Sequence, residues 1–336
     1  MSFLTRTLVA AALAALPAGA ALSQTAAPAK EINFGVISTE ASQNLKKIWD
    51  PFLADMQKST GLKVNAFFAS DYAGVIEGMR FGKVQVAWYG NKAAMEAVDR
   101  ANGEIFAQSV DAEGNPGYWS LMVAHVDSPL NSLDDVLKCD KSLNLGFGDP
   151  NSTSGFLVPT TFIFAAKNIT PKDCFKTVRN ANHEANALAA ANKQVDVAIN
   201  NTENMRRLEV TNPEAAKKLK ILWKSPLIPS DPLVWRKDLD EETKRKVYTF
   251  VMSYGRQGPT EDVVRAREVL KALNWAPFAP SSDAQLYPVR IMEITRAVAK
   301  IQGDDKLSAD EKKAELAKLE AQRAQIEDAM RKAPKA

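Results

Sequence analysis

The sequence predicts an α/β protein of two lobes, one of which is inserted into the chain of the other. Strand-like and helix-like runs alternate from residue 31 to residue 125, and the alternation resumes over residues 127–229. Two amphipathic helical patterns follow, at residues 240–254 and 260–273. Alternation of this kind predicts parallel strands covered by helices. Because the chain leaves the first lobe and returns to it, we expect two crossing segments, near residues 125 and 228, to form a hinge.

The chain begins with the three regions of a secretory signal peptide. Arg6 supplies the positive charge, Leu8–Leu16 is an unbroken apolar run, and small residues follow as far as Ser23. The apolar run is too short to cross a bilayer. We therefore expect residues 1–23 to be cleaved near Ser23, residues 24–30 to be a disordered linker, and the mature protein to be periplasmic.

Composition and charge limit the kinds of partner. With 336 residues, of which 46% are apolar, the chain can bury the cores of two ordinary domains. The formal net charge of +3 comes without a basic tract, so we expect no nucleic-acid partner. Cys139 and Cys174 are the two cysteines of the sequence. In an oxidising compartment they can form a disulfide, and two buried thiols are the alternative.

The first lobe is predicted to consist of residues 31–125 and 229–295. It opens with a strand at residues 32–38. The helix that follows, residues 41–59, is indicated by apolar side chains at helical spacing, namely Leu45, Ile48, Trp49, Phe52, Leu53 and Met56. Gly61 stands at the position typical of a helix C-cap.

Two more strands, residues 62–68 and 84–89, are each followed by a helical pattern, at residues 72–81 and 92–102. The side chain of Asn91 is predicted to cap the second of these helices, because asparagine is a favoured N-cap.

The second lobe is predicted to span residues 126–228. A strand at residues 118–126 would cross between the lobes, and residues 231–236 would return. Between them the apolar runs predict strands at residues 143–148, 176–179, 194–199 and 219–223.

Residues 296–336 are predicted to form a C-terminal helical extension. Its last part carries a narrow apolar seam whose spacing approaches a heptad, formed by Leu316, Leu319, Ile326 and Met330. Two interpretations remain open, a helix packed on its own domain or the contact of a homodimer.

Three consecutive hydroxyl residues, Ser152, Thr153 and Ser154, stand between a strand-like run and a helix-like run. A helix N-terminus offers free backbone N–H groups and the positive end of the helix dipole. Hydroxyl donors added there make a site for a small tetrahedral oxyanion. One N-cap needs one hydroxyl, so the run exceeds what capping alone requires.

Four further residues are candidates for function. His125 lies on an apolar strand, where a structural role is expected, and His183 begins a helix as either a surface residue or a second anion donor. Glu203 follows a strand, at the end where ligands bind in open α/β sheets, and Asp231 stands at the return crossing. Two acids facing the oxyanion site across a cleft suit a ligand with an anionic head and a cationic tail.

Signatures of catalysis are missing from the sequence. No His, Cys and carboxylate cluster has metal-site spacing, and neither a Gly-x-Ser-x-Gly elbow nor a Walker-type loop occurs. We therefore expect a binding protein with no metal or cofactor rather than an enzyme. A Ser-His-Asp triad needs a single histidine, so an exported phosphoesterase is the alternative of a different class.

A set of short motifs across residues 31–295 resembles the periplasmic phosphonate-binding proteins of phosphonate ABC importers. These motifs are Asp71-Tyr-Ala-Gly, Ala87-Trp-Tyr-Gly-Asn, Pro116-Gly-Tyr-Trp-Ser, Gly148-Asp-Pro-Asn-Ser-Thr-Ser-Gly-Phe-Leu-Val-Pro, His183-Glu-Ala-Asn-Ala-Leu, Asn200-Asn-Thr-Glu-Asn and Lys224-Ser-Pro-Leu-Ile-Pro-Ser-Asp-Pro. The resemblance implies a two-lobed type II periplasmic binding fold that closes on its ligand and then docks on an inner-membrane ABC permease.

The resemblance also implies roles for individual residues. The hydroxyls of residues 152–154 would hold the phosphonate oxygens, and Tyr72, Tyr118 and His183 would complete that pocket. Glu203 and Asp231 would bind the ammonium group of 2-aminoethylphosphonate. A closer alternative is a binding protein for phosphite or phosphate, although two acids would repel an unaccompanied anion. A ligand-sensing module for a membrane receptor is a third alternative.

Overall fold

The computed structural model describes residues 30–332. The predicted signal peptide, residues 1–23, and residues 24–29 of the predicted linker lie outside the described residues. Across residues 30–332, no helix combines the length and the apolar character that a membrane span requires.

The strands of the described chain are β1 (Glu31–Val36), β2 (Lys63–Phe68), β3 (Val86–Trp88), β4 (Gly103–Asp111), β5 (Gly117–Tyr118), β6 (Ser120–His125), β7 (Asn144–Phe147), β8 (Thr177–Asn180), β9 (Val197–Asn201), β10 (Leu219–Lys224), β11 (Ile228–Pro229), β12 (Pro232–Arg236) and β13 (Trp275–Pro280).

The α-helices are α1 (Ser42–Thr60), α2 (Tyr72–Arg80), α3 (Asn91–Arg100), α4 (Leu133–Val136), α5 (Pro171–Cys174), α6 (His183–Ala191), α7 (Thr202–Thr211), α8 (Pro213–Ala216), α9 (Glu241–Ser253), α10 (Thr260–Ala272), α11 (Tyr287–Gln302) and α12 (Ala309–Lys332). A wider helical segment occupies residues 153–164.

Two mixed sheets form the centres of the two lobes. The first has the strand order β13-β4-β12-β3-β1-β2, and the second has the order β10-β6-β9-β7-β8. The predicted parallel pairing is present for β1 with β2 and β3, and for β7 with β8 and β9. Other pairs, such as β12 with β4 and β6 with β9, are antiparallel. The predicted parallel strands are thus present, and the antiparallel pairs were not predicted, because β6 and β12 enter their sheets from the crossing segments instead of from a helical crossover.

The lobes are joined at a short antiparallel ribbon in which β5 pairs with β11. A Cβ atom added to Gly117 would lie 1.9 Å from the carbonyl oxygen of Ile228, so only glycine allows the two backbones to approach this closely. The run 118–126, predicted as one strand, is divided at Trp119, and β6 pairs with β9 and β10 of the second sheet. The first crossing thus precedes residue 120 instead of lying near residue 125, because a buried apolar run does not specify which sheet it joins.

The core of the first lobe is rich in aromatic rings packed around α1. Trp49 lies 5.4 Å from Phe34, and 5.5 Å from both Trp88 and Trp275, between ring centroids. The apolar face predicted for α1 is buried at Leu45, Trp49, Phe52, Leu53 and Met56, whereas Ile48 is partly buried. The second lobe has a separate core.

Two strands of the first lobe, β4 and β13, were not predicted, and the helical extension predicted to begin at residue 296 begins earlier, with α11 at Tyr287. The predicted capping role of Asn91 is also wrong, since it is the first residue of α3 and the cap position belongs to Gly90. The Asn91 side chain instead donates to the carbonyl oxygen of Pro229 at 2.7 Å. A tertiary acceptor from the crossing segment therefore replaces the local cap.

The C-terminal helix α12 packs on α11 of the same chain. Arg323 donates to the Thr295 hydroxyl at 2.8 Å, and Lys312 donates to the carbonyl oxygen of Gln302 at 2.9 Å. No residue of α12 is buried in the described chain. This arrangement agrees with a helix packed on its own domain, and a homodimer contact stays a prediction.

A disulfide joins Cys139 to Cys174 in the structure. It ties the segment before β7 to the end of α5, and Cys174 packs in the second lobe's core beside Phe164 and Phe175. The bridge thus closes a loop with a sequence separation of 35 residues around an edge of the second sheet.

Removing this bridge is expected to lower the free energy of unfolding. For the variant Cys139→Ser/Cys174→Ser we expect a loss of about 2–4 kcal/mol, because the unfolded chain regains the entropy of the open loop. Urea denaturation measures the difference. Dithiothreitol should lower the parent protein to the same stability and leave the variant unchanged, and a parent protein insensitive to the reductant would contradict the prediction.

Candidate functional site

The eight candidate residues are all buried at the junction of the two lobes. Their exposed fractions lie between 1% and 7%, for Tyr72, Tyr118, Ser152, Thr153, Ser154, His183, Glu203 and Asp231. They come from α2 and the crossing segments on one side, and from the N-termini of α6, α7 and the wider helical segment on the other. Polar side chains that share a buried junction must satisfy one another or a ligand.

Each of the three consecutive hydroxyls accepts a hydrogen bond from a protein N–H group. Ser152 Oγ accepts from Gly155 N at 2.9 Å, and Ser154 Oγ accepts from Asn201 Nδ2 at 3.0 Å. Thr153 Oγ1 accepts from Lys92 N at 2.8 Å, across the junction between the lobes. Since a hydroxyl also carries one donor, each O–H is left to donate elsewhere. Ser152 is therefore the helix cap, and capping explains one hydroxyl of the three.

The helical segment that follows begins with a wide turn. Leu157 N donates to the carbonyl oxygen of Ser152 at 3.1 Å, five residues back along the chain. A Cβ atom added to Gly148 would lie 2.4 Å from backbone atoms of Gly155, so the turn is pressed against the end of β7. Single wide turns of this kind are frequent at functional sites. The sequence predicted a helix here but not its widened start.

His183 is held as a neutral imidazole. Asn201 Oδ1 accepts from Asn204 N at 2.7 Å, which fixes the amide so that Nδ2 lies 3.1 Å from His183 Nε2. Nε2 therefore accepts, and the proton resides on Nδ1, which is buried without a hydrogen-bond partner in the described chain. Burial, helped by the nearby Arg207 guanidinium, lowers the pKa of His183 to about 3. The Ser152 and Ser154 hydroxyl oxygens lie 3.5 Å from Nε2.

The two candidate acids each accept from protein donors on one oxygen, and Asp231 Oδ1 has a second donor, Asn91 Nδ2, at 3.4 Å. The Tyr118 hydroxyl donates to Asp231 Oδ1 at 2.9 Å, and Trp275 Nε1 donates to Glu203 Oε1 at 3.3 Å. Burial raises the pKa of Asp231 well above its usual range, and repulsion from Glu203 adds to this effect. Burial also raises the pKa of Glu203, against the opposing charge of Arg207. A cation placed between the two carboxylates would relieve both effects.

Thr153 of the hydroxyl run and Asp231 converge near Gly90. A Cβ atom added to Gly90 would lie 3.2 Å from Thr153 Oγ1 and 3.8 Å from Asp231 Oδ1, so a side chain here would enter the site. The Tyr72 phenol lies close to the Ser152 side chain. Burial raises the pKa of both Tyr72 and Tyr118, so both stay neutral phenols that can donate.

The sequence analysis missed residues that join the lobes around this site. Arg207 donates through Nε to the carboxylate of Glu40, and both side chains are buried. Glu184 accepts from Ala41 N at 2.8 Å and from Asn44 Nδ2 at 2.6 Å, at the start of α1. Only the spacing of Glu203 and Arg207, four residues apart on a helix, was visible in the sequence. The contacts show that the structure is the closed form.

Two lobes closed over hydroxyl donors at helix N-termini, joined at a two-segment hinge, define a periplasmic substrate-binding protein of the type II class. A profile of the family described as "ABC transporter, phosphonate, periplasmic substrate-binding protein" matches residues 34–286. The chain belongs to this family, whose members are binding components of transporters and not enzymes.

Individual relatives agree with this assignment. The phosphonates-binding periplasmic protein of Escherichia coli K12 is 56% identical over 293 residues, which cover 87% of this chain and 85% of that protein. A phosphate-import protein of Mycolicibacterium smegmatis is 32% identical and covers 65% of this chain and 70% of that protein.

Solved structures show the same fold. The binding protein component of an ABC phosphonate transporter from Pseudomonas aeruginosa superposes with a TM-score of 0.86 at 55% identity, covering 91% of this chain and 98% of that one. PhnD1 from Prochlorococcus marinus, solved in complex with methylphosphonate, has a TM-score of 0.69 at 20% identity, covers 78% of this chain and 97% of that one, and shows the fold alone.

The lowered pKa of His183 predicts an acid-dependent loss of stability. Below pH 6.5 the unfolded chain takes up a proton that the folded state refuses, so stability falls as the pH drops. When the pH falls from 7.5 to 5.5, the free energy of unfolding of the ligand-free parent should decrease by about 1.4 kcal/mol more than that of His183→Gln. Urea denaturation measures both values. Glu203 and Asp231 act in the opposite direction in both proteins, so the difference isolates the imidazole. Parallel pH profiles would refute the assignment.

Proposed function

We propose that this protein captures 2-aminoethylphosphonate in the periplasm and delivers it to an inner-membrane ABC permease, after cleavage of its signal peptide near Ser23. The observation that carries the proposal is the two-sided chemistry of the buried site. Hydroxyl donors stand on one side, and two carboxylates, each accepting from protein donors on one oxygen only, stand on the other.

The phosphonate group is assigned to the hydroxyl side. Ser152, Thr153 and Ser154 donate their O–H groups to its oxygens, supported by the positive end of the helix dipole. Tyr72 and His183 border the same space, and both are neutral, so they contribute dipoles without a full charge. Hydrogen bonds to a charged acceptor contribute about 1.5–3 kcal/mol each, and four or five of them support sub-micromolar binding after the cost of association.

The ammonium group is assigned to the acid side. Trp275 and Tyr118 orient Glu203 and Asp231 through one oxygen each, which leaves the other oxygens to accept from the ligand. The two acids repel each other when both are ionised, and an ammonium group between them replaces that repulsion by two attractions.

Lobe closure follows from ligand contact with both lobes. The hydroxyl run belongs to the second lobe, whereas Asp231 and Tyr118 lie at the crossing segments and Tyr72 lies in the first lobe. A ligand stabilises the closed form only to the extent that it binds the closed form more tightly than the open form. The closed protein is the form that we propose docks on the permease.

A second candidate ligand class is a small phosphorus oxyanion such as phosphate or phosphite, which the similarity to the phosphate-import protein favours. The buried acids oppose this candidate, because an oxyanion without a cation would leave both carboxylates uncompensated.

The roles of the acids predict a selective loss of affinity. In Glu203→Gln we expect 2-aminoethylphosphonate binding to weaken by about 3–5 kcal/mol, since the buried ammonium group loses a charged partner. Asp231→Asn is expected to behave similarly. Isothermal titration calorimetry measures both.

Ethylphosphonate, which lacks the amine, provides the ligand control. We expect it to bind the parent far more weakly than 2-aminoethylphosphonate, and to bind Glu203→Gln at least as well as it binds the parent. Glu209→Gln, at an exposed position of the same helix, should change neither ligand. Equal affinity of the parent for the two ligands would overturn the proposal.

We also propose a homodimer through α12, whose residues are all unburied in the described chain and whose Met330 is 41% exposed. Sedimentation velocity is expected to give a dimer for the parent protein and a monomer for Ile326→Glu/Met330→Glu. A monomeric parent protein at micromolar concentration would contradict this.

A further inference from the structure

Arg207 occupies a central position that the proposed ligand contacts do not use. It lies on α7 one turn after Glu203, and both side chains are buried, with exposed fractions of 8% and 7%. Residues four apart on a helix share a face, so the guanidinium and the carboxylate are neighbours. On its other side Arg207 donates to Glu40, which comes from the loop after β1 in the opposite lobe. Arg207 is therefore placed between an acid of its own helix and an acid of the other lobe.

The charges around Arg207 do not balance in the closed form. Glu40, Glu203 and Asp231 are buried at 5%, 7% and 5% exposure. Arg207 balances one of these three carboxylates. The other basic groups nearby have partners of their own, because Arg206 pairs with Asp111 and Glu113, and Lys92 pairs with Glu96 and Glu293. A buried carboxylate without a partner is strongly unfavourable and tends to take up a proton instead.

We infer that Arg207 is a positioning residue that makes the site selective for an amine. It keeps Glu203 as a charged carboxylate facing the cleft, and its separate contact with Glu40 joins the two lobes. This inference rests on the proposed function. A charged Glu203 attracts an ammonium group, whereas a protonated Glu203 would be a neutral hydrogen-bonding group with little preference between an aminated and an unaminated ligand.

The electrostatics of the buried groups support this geometry. Burial raises the pKa of Glu203, and the charge of Arg207 is the strongest influence that lowers it. Arg207 also lowers the pKa of Asp231. The titratable and charged groups that face the pair come from several elements, namely Glu40, Tyr72, Asp111, Tyr118, His183, Arg206 and Asp231. Of these, the tyrosines and His183 are neutral at pH 7, and Arg206 is engaged by Asp111.

The test measures how strongly each variant prefers 2-aminoethylphosphonate over ethylphosphonate. Calorimetry gives this preference as the dissociation constant of ethylphosphonate divided by that of 2-aminoethylphosphonate. We expect Arg207→Gln to reduce this ratio at least about tenfold at pH 7, the equivalent of one pH unit in the ionisation of Glu203. We expect the ratio to rise again as the pH is raised, because a higher pH favours the ionised form of Glu203. A merely structural role for Arg207 would weaken both ligands alike at every pH.

Three further variants sharpen the interpretation. Arg207→Lys retains the charge and should retain most of the preference. Glu40→Gln should weaken both ligands by the same factor, since it disturbs closure but leaves the cation beside Glu203. In a Glu203→Gln background, Arg207→Gln should change the ratio no further, because the residue through which it acts is gone.

Folding of the variants does not limit the test. Arg207→Gln leaves Glu40 buried alone and could fail to fold for that reason. In that case the double variant Glu40→Gln/Arg207→Gln, which removes both charges of the pair, takes the place of the single variant. The same lowered ratio is expected. A ratio and pH profile unchanged from the parent in the folded variant would overturn the inference. A parent protein that binds both ligands equally would instead overturn the proposed function, so the two failures are distinguishable.

Discussion

The closed form depends on the pairing of polar and charged groups that the two lobes bury against each other. Each lobe has its own sheet and its own apolar core, and a small apolar cluster of Tyr118, Val158 and Ile228 lies at the junction between them. A set of polar contacts also joins the lobes, such as Arg207 with Glu40, Glu203 with Trp275, and Lys92 N with Thr153. Burying such groups without partners is unfavourable, so the closed state is stable only when its charges and donors are matched.

Helix termini carry much of this pairing. The start of α6 donates two backbone N–H groups, those of His183 and Glu184, to the carbonyl oxygen of Thr39 in the other lobe. The Glu184 carboxylate in return accepts from Ala41 N, at the start of α1, whose cap position makes no side-chain cap hydrogen bond of its own. Each lobe therefore completes a helix end of the other. When the lobes are apart, the backbone N–H groups at these helix ends bind water. Closure therefore exchanges water for protein partners at little net cost in free energy.

The same principle separates the roles within the site. Hydroxyls that already accept an N–H group keep one O–H hydrogen to donate, and such donors suit an anion. Carboxylates that already accept from Tyr118 and Trp275 present their remaining oxygens, and this orientation suits a cation. The site thus has an ordered polarity, with hydroxyls on one side and carboxylates on the other.

The sequence by itself determined the local features. Apolar spacing located α1, the hydroxyl run marked the helix N-terminus at Ser152, and the chain order of strands and helices indicated one lobe inserted in the other. Features that depend on distant partners were decided by the tertiary structure. The strand β6 joined the second sheet, Asn91 bonded to Pro229 instead of capping α3, and Glu40 met Arg207 across 167 positions of sequence. Local patterns report the environment of a residue and not the identity of its partner, because partners are selected only when the lobes pack and close.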